Sequence, residues 1–140
     1  MGIQNSSSLN EQGEPIVRDG KLSLGNLDAQ RDWGYAGDYV EAMWLMLQQE
    51  KPDDFIIGTG QSRSIRQLCE EAFSCLDLDW KAHVIIDPRF VRPIETGATV
   101  ADASKAKREL GWEAKTSFSE VIGGMVQYHM QKLKTEIGNE

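Results

Sequence analysis

Leu24-Gly25-Asn26-Leu27-Asp28-Ala29-Gln30-Arg31-Asp32-Trp33-Gly34-Tyr35-Ala36-Gly37-Asp38-Tyr39-Val40-Glu41-Ala42-Met43-Trp44 holds a change from strand-like to helical patterning. Residues 21–27 alternate weakly through Leu22 and Leu24. The turn-forming run from Asn26 to Asp28 ends them, so a short strand is expected there. Gly34 and Gly37 then punctuate the approach to a helix over residues 39–49. On that helix Tyr39, Val40, Ala42, Met43, Trp44, Leu45, Met46 and Leu47 are apolar nearly all the way round, which predicts burial on most sides. A chain of 140 residues has little with which to cover such a helix, so a further neighbour is expected against it.

Working outward, residues 54–58 read as a second short strand through Phe55, Ile56 and Ile57, running into the turn Gly58-Thr59-Gly60. Ser64 and Gln67 stand at capping-box spacing and open a helix that should bury Ile65, Leu68, Cys69, Ala72, Phe73 and Leu76. Residues 83–86 predict a third strand ending at Asp87-Pro88, and residues 89–99 are irregular around Pro93 and Gly97. Ser104 is the expected cap of a short helix that Gly111 stops after Leu110. Ser117 with Glu120 forms a second capping box, leading into a helix with Phe118, Val121, Ile122, Met125, Val126, His129 and Leu133 on one stripe. Residues 1–20, rich in Ser, Asn, Gln, Gly and Glu, predict a flexible arm, with a short extended segment at Ile16-Val17 after Pro15. A single domain over residues 21–136 and a flexible tail at 137–140 complete the expected organisation. The class is mixed α/β with helices dominating, and no internal repeat is visible.

Composition narrows the function classes. Twenty-two acidic residues against 15 basic give a net charge of −7, which disfavours a diffuse nucleic-acid or anionic-membrane surface. Any anion site must be built from a few placed arginines. The start has neither a basic region nor an apolar run, and no uninterrupted apolar stretch is long enough to span a bilayer, so a soluble cytoplasmic protein is expected. Cys69 and Cys75, six apart, sit about 120° off a common helix face, and no histidine stands at zinc-ligand spacing to either. Both are expected to be buried structural thiols in a reducing compartment.

Three constellations are candidates for chemistry. Gly58-Thr59-Gly60 follows a strand pattern and precedes a helix, as a dinucleotide fingerprint does, but Arg63 fills the third glycine position. A tight turn explains it as well. Tyr128 and Lys132 have the Tyr-x-x-x-Lys spacing that sets up a phenolic base, yet they lie near the end of the last amphipathic helix, where coincidence is the better account. The third is an arginine group, Arg31 together with Arg89 and Arg92, with Glu95 three residues further on. Guanidinium forks match phosphate oxygens, and a carboxylate accepts from a ribose diol. Spacing alone leaves ordinary solvated charges as the alternative.

The quoted run, followed by Phe55-Ile56-Ile57-Gly58-Thr59-Gly60, Ser64-Ile65-Arg66, Asp87-Pro88-Arg89-Phe90-Val91-Arg92-Pro93-Ile94-Glu95 and Asp102-Ala103-Ser104-Lys105-Ala106-Lys107-Arg108-Glu109-Leu110-Gly111-Trp112, resembles the GDP-mannose 4,6-dehydratases. These are extended short-chain dehydrogenase/reductases. The resemblance runs from about residue 20 to 134 and implies the carboxy-terminal portion of that fold, without its amino-terminal Rossmann half. It implies that Arg31 and Arg92 reach the diphosphate of a GDP-sugar, that Glu95 holds the nucleoside ribose, and that Asn26 lines the same pocket. In the family, the amino-terminal half supplies the Gly-x-x-Gly-x-x-Gly loop for NADP, a Thr or Ser, a Glu base and the Tyr-x-x-x-Lys pair. Together these oxidise C4, eliminate water across C5 and C6, and return the hydride.

These 140 residues contain no such loop, so the resemblance implies no cofactor and no catalytic residue within them. Two departures stand out, Tyr35 where the family has a histidine and Gly37 where a basic residue is common. Three functions compete: a portion that holds a GDP-sugar weakly or pairs with a separate cofactor-binding chain, a non-catalytic interaction module that forms a homodimer through the apolar helix, and, least favoured, an intact enzyme of another class.

Overall fold

The computed structural model describes residues 13, 17–91 and 97–137. Arg92 and Glu95, two of the expected ligand residues, lie outside the described residues.

Two small sheets and five helices make up the described chain. Strands β1 (Val17–Arg18), β2 (Lys21–Leu24) and β5 (Val84–Ile86) form a sheet in the order β1-β2-β5, while β3 (Gln30–Asp32) and β4 (Ser62–Ser64) form a separate ribbon. β1 and β2 are an antiparallel hairpin turned by Asp19 and Gly20, both at positive φ, as a two-residue turn between twisted strands requires. The hairpin lies partly in the stretch expected to be a flexible arm, and its first strand begins at Val17, within the short extended segment expected there. β2 and β5 run parallel, Leu22 opposite Val84 and Leu24 opposite Ile86, connected by the ribbon and helices between them.

The helices are α1 (Ala36–Leu47), α2 (Ile65–Ser74), α3 (Trp80–His83), α4 (Ser104–Leu110) and α5 (Phe118–Ile137). α2 starts as expected: Ser64 Oγ accepts from the Gln67 N–H and the Gln67 side chain accepts from the Ser64 N–H. The Ser117 and Glu120 box likewise opens α5. Gly111 stops α4 in the left-handed conformation, at φ 66°. The start of α4 differs from expectation. Ser104 is the first helical residue rather than the cap, and its N–H donates to Asp102 Oδ1.

Three other readings need correction. Residues 54–58 form no strand among the described residues, although Phe55 and Ile57 pack inward and Ile56 outward, the alternation of a strand without a ladder. The pairing goes instead to β3 and β4, whose polar residues gave no apolar signal. Cys69 is buried, and burial pushes its thiol above the ordinary value, but Cys75 is exposed. α2 ends at Ser74, so Cys75 sits at its carboxy-terminal cap, off the packed face. α1 is covered on one side only.

Two apolar clusters hold the fold. Leu27, Cys69 and Val84 form one, with Leu24, Ile65, Phe73 and Trp80 around them, and it fastens α2 to the β2–β5 pair. Ala42, Ala106 and Trp112 form the other, where the absence of bulk at the two alanines lets α1 and α4 approach. Trp112 is fully buried against Tyr39, its indole donating to the Asp38 carbonyl at 2.8 Å.

Candidate functional site

Asn26 follows β2 and Arg31 sits in the middle of β3. Asn26 Oδ1 accepts from the Asp28 N–H at 2.9 Å, a local turn that reverses the chain between the two strands. The same turn is tied to the start of α2 by backbone bonds from Ile65 to Ala29 and from Arg66 to Leu27, and by the Arg66–Asp28 ion pair at 2.9 Å. Arg31 is half-buried, and its guanidinium donates to the Gln30 carbonyl.

The described residues on both sides of the Arg92–Glu95 stretch are anchored. On one side, the Asp87 N–H donates to the Leu24 carbonyl at 2.8 Å, extending the β2–β5 ladder, and Pro88–Phe90 make a 3-10 turn. That turn rests directly on Gly25, beside Asn26. A Cβ at Gly25 would fall inside the Phe90 carbonyl. On the other side, the Ala101 N–H donates to Asp32 Oδ2 at 3.2 Å, next to Arg31. The two described flanks therefore reach Gly25 and Asp32, the sequence neighbours of Asn26 and Arg31. Arg89, grouped with the phosphate-binding candidates by sequence, is committed to Asp87 at 2.7 Å.

Asp32 was not singled out from sequence, yet it organises this region. Its carboxylate accepts from the Thr59 N–H at 3.0 Å, the Thr59 hydroxyl at 2.5 Å, the Gly60 N–H at 3.0 Å and the Ala101 N–H. Burial alone would raise its pKa. The hydrogen bonds from Thr59, Ala101 and Gly60 outweigh that and hold it below the ordinary 3.8. The signal available in the sequence was the glycine turn itself, since exposed N–H groups in a tight turn need an anion to receive them.

This settles how the one dinucleotide-like turn is used. The Thr59 and Gly60 N–H groups, which in a nucleotide-binding loop would face a phosphate, receive the Asp32 carboxylate, and Gly58 is packed against Ala101. A phosphate brought there would meet a fixed negative charge, so the turn does not fit a dinucleotide. Tyr128, the other cofactor-associated candidate, is 64% exposed on α5, and Lys132 pairs with Glu136 at 3.9 Å. No metal-binding cluster exists among the described residues, and none of their helices is long and apolar enough to cross a membrane.

Two concavities flank these elements. One, of about 470 Å³, is polar and lies between the β3–β4 ribbon and the starts of α2 and α5. The other, of about 700 Å³, is apolar and runs between Tyr35 and the α5 residues Val121, Met125 and Tyr128.

Architecture of this kind is that of the extended short-chain dehydrogenase/reductases. UDP-glucose 4-epimerase from Thermotoga maritima superposes with a TM-score of 0.70 at 27% identity, over 81% of this chain and 36% of that one. dTDP-glucose 4,6-dehydratase from Bacillus anthracis gives 0.69 at 22% identity, over 79% and 35%, and supports the fold alone. The family model described as GDP-mannose 4,6 dehydratase matches residues 16–125, and the chain belongs to that family. GDP-mannose 4,6 dehydratase 1 of Arabidopsis thaliana is 50% identical over 116 residues, covering 83% of this chain and 32% of its own length. The Homo sapiens GDP-mannose 4,6 dehydratase is 40% identical over 131 residues, covering 81% and 35%. The chain thus spans about a third of the length of the curated relatives it matches.

Proposed function

We propose that these residues form the GDP-sugar-holding portion of a GDP-mannose 4,6-dehydratase. Arg31 and Arg92 take the diphosphate, Glu95 takes the nucleoside ribose, and Asn26 lines the pocket. The observation that supports this reading is the double anchoring just described, with the described flanks of the Arg92–Glu95 stretch held against Gly25 and Asp32, the sequence neighbours of Asn26 and Arg31. Conversion of GDP-mannose to its 4-keto-6-deoxy product needs a hydride acceptor, and the glycine turn of dinucleotide-like spacing is occupied by the Asp32 carboxylate. In this reading NADP and the catalytic groups are supplied from outside these residues, and the 140-residue chain alone turns over no substrate.

Calorimetric titration with GDP, GDP-mannose and UDP tests it. Saturable GDP binding is expected, weakening as salt rises and lost in Arg92→Ala and Arg31→Ala. A folded sample that binds none of the three, or binds GDP equally well in both variants, removes the reading.

A second reading has its own observation. Val40, Met43, Trp44 and Leu47, spaced i, i+3, i+4, i+7, are 59–82% exposed along one face of α1. This is an apolar stripe that a second copy of the chain would cover, making a homodimerisation module.

A further inference from the structure

Phe55, Ile56 and Ile57 alternate as a strand does, yet their backbone N–H and C=O groups make no hydrogen bond among the described residues. Phe55 and Ile57 pack into the cluster of Ala42, Ala106 and Trp112, while Ile56 points away from it at 59% exposure. The segment is fastened at its start. Lys105 Nζ donates to the Asp54 carbonyl at 3.0 Å, pairs with Asp53 at 2.7 Å and lies 4.8 Å from the centre of the Phe55 ring. In an extended chain the polar groups of successive residues face opposite edges. Lys105 therefore occupies the edge shared by Asp54 and Ile56 and leaves the edge of Phe55 and Ile57 open. An apolar edge with no charge, proline or covering element within it is a template for another strand.

We propose that this edge pairs with the same edge of a second copy of the chain, antiparallel about a two-fold axis at Ile56. The proposal rests on the homodimer reading above and gives it a register. Phe55 and Ile57 of one copy stand opposite Ile57 and Phe55 of the other and exchange N–H···O=C bonds with them. The two Ile56 side chains meet across the axis as the closer, non-hydrogen-bonded pair. Three features favour a second copy as the occupant. Opposite residues share a face in this register, so every Phe55 and Ile57 stays turned toward its own cluster. Asp54 falls opposite Gly58 rather than another acid, and Asp53 is already paired with Lys105, so the acidic start does not repel its mate. The axis also keeps both α1 helices on one side of the paired strands, where the two stripes of Val40, Met43, Trp44 and Leu47 cover each other. These four side chains and Ile56, all 59–82% exposed, present several hundred Å² of apolar surface, approaching the roughly 800 Å² per partner of a standard interface.

Amide hydrogen exchange of the 140-residue chain, read at low and high concentration beside its mass by light scattering, tests the pairing. As the mass rises to that of a dimer, exchange of the Phe55 and Ile57 N–H groups should slow about tenfold or more, and that of Ile56, on the other edge, should not change. Ile56→Lys, at an exposed position, sets like charges against each other at the axis and should return the chain to a monomer with its fold intact. With Cys69 buried, Ile56→Cys in a Cys75→Ser background should form an interchain disulfide under mild oxidation. The Cα atoms of such a pair lie about 4.5 Å apart, within disulfide reach. A dimer whose Phe55 and Ile57 amides exchange at the monomer rate overturns the strand pairing and leaves a contact through α1 alone. A monomer at every concentration overturns the pairing and the homodimer reading together. Protection that appears only when the portion of the Arabidopsis thaliana relative outside the match is added gives the edge to that portion and overturns the second copy as its occupant.

Discussion

Asp38 is the one buried charged side chain among the described residues, 7% exposed, and the first turn of α1 puts it where residues 115 and 116 arrive. Its carboxylate accepts from the Thr116 N–H at 2.9 Å, the Lys115 N–H at 3.0 Å and the Thr116 hydroxyl at 3.2 Å. Burial pushes its pKa up, but the bonds from Thr116 and Lys115 together with the Lys115 charge win, and the pKa is lowered from 3.8. A depressed carboxylate contributes stability above its unfolded pKa, and that contribution is lost as pH falls through the folded value. Stability should therefore decline as pH falls below the ordinary 3.8, where the unfolded chain binds protons first, and on down through the lower folded values of Asp32 and Asp38. In Asp38→Ala the Lys115 and Thr116 N–H groups lose their acceptor. Urea unfolding at neutral pH should show a loss of about 2–3 kcal/mol, with a flatter dependence on acid. An unchanged midpoint would mean that water replaces the carboxylate. The exposed Lys115–Glu41 pair nearby, at 2.7 Å, contributes little by comparison.

The join between β2 and the 3-10 turn depends on Gly25. Its missing side chain lets the Phe90 carbonyl lie against the strand end, and neither backbone can yield without breaking the Asp87-to-Leu24 bond. Gly25→Ala should cost about 1–3 kcal/mol in thermal unfolding. It should also weaken GDP binding, since Arg92 follows Phe90 by two residues; a variant that keeps both properties would show the turn to be free to shift. Elements announced by neighbouring residues were legible in the sequence: the Ser64–Gln67 and Ser117–Glu120 boxes, and the Gly111 stop of α4. The ribbon was not, because Gln30–Asp32 and Ser62–Ser64 carry no apolar alternation and owe their pairing to contacts distant in sequence. The reverse error occurred at residues 54–58, where alternation was present and no partner strand stands beside it among the described residues. Arg31 and Asn26 were singled out through family resemblance. Asp32 was not, since what distinguishes it is the company of donors remote in sequence.

α1 carries the Asp38 carboxylate and an uncovered apolar face at Val40, Met43, Trp44 and Leu47. The inner face, with Tyr39, Ala42 and Met46, packs on Trp112 and its neighbours, while Leu47 at 82% exposure ends the outer one. Light scattering over a concentration series should show the mass rising toward that of a dimer, and Trp44→Glu with Leu47→Glu should return it to a monomer. A monomer at every concentration, with no binding of an apolar dye, would remove the dimerisation reading. The networks also bear on the order of events at the ribosome. Thr116 follows Asp38 by 78 residues, and Ala101 follows Asp32 by 69. During synthesis α1 is made long before the amides that donate to its carboxylate, and until they emerge the segment lacks those ties and its apolar flanks are uncovered. Translation speed across the interval, and holding by a chaperone, thus act on the same helix that later frames the site.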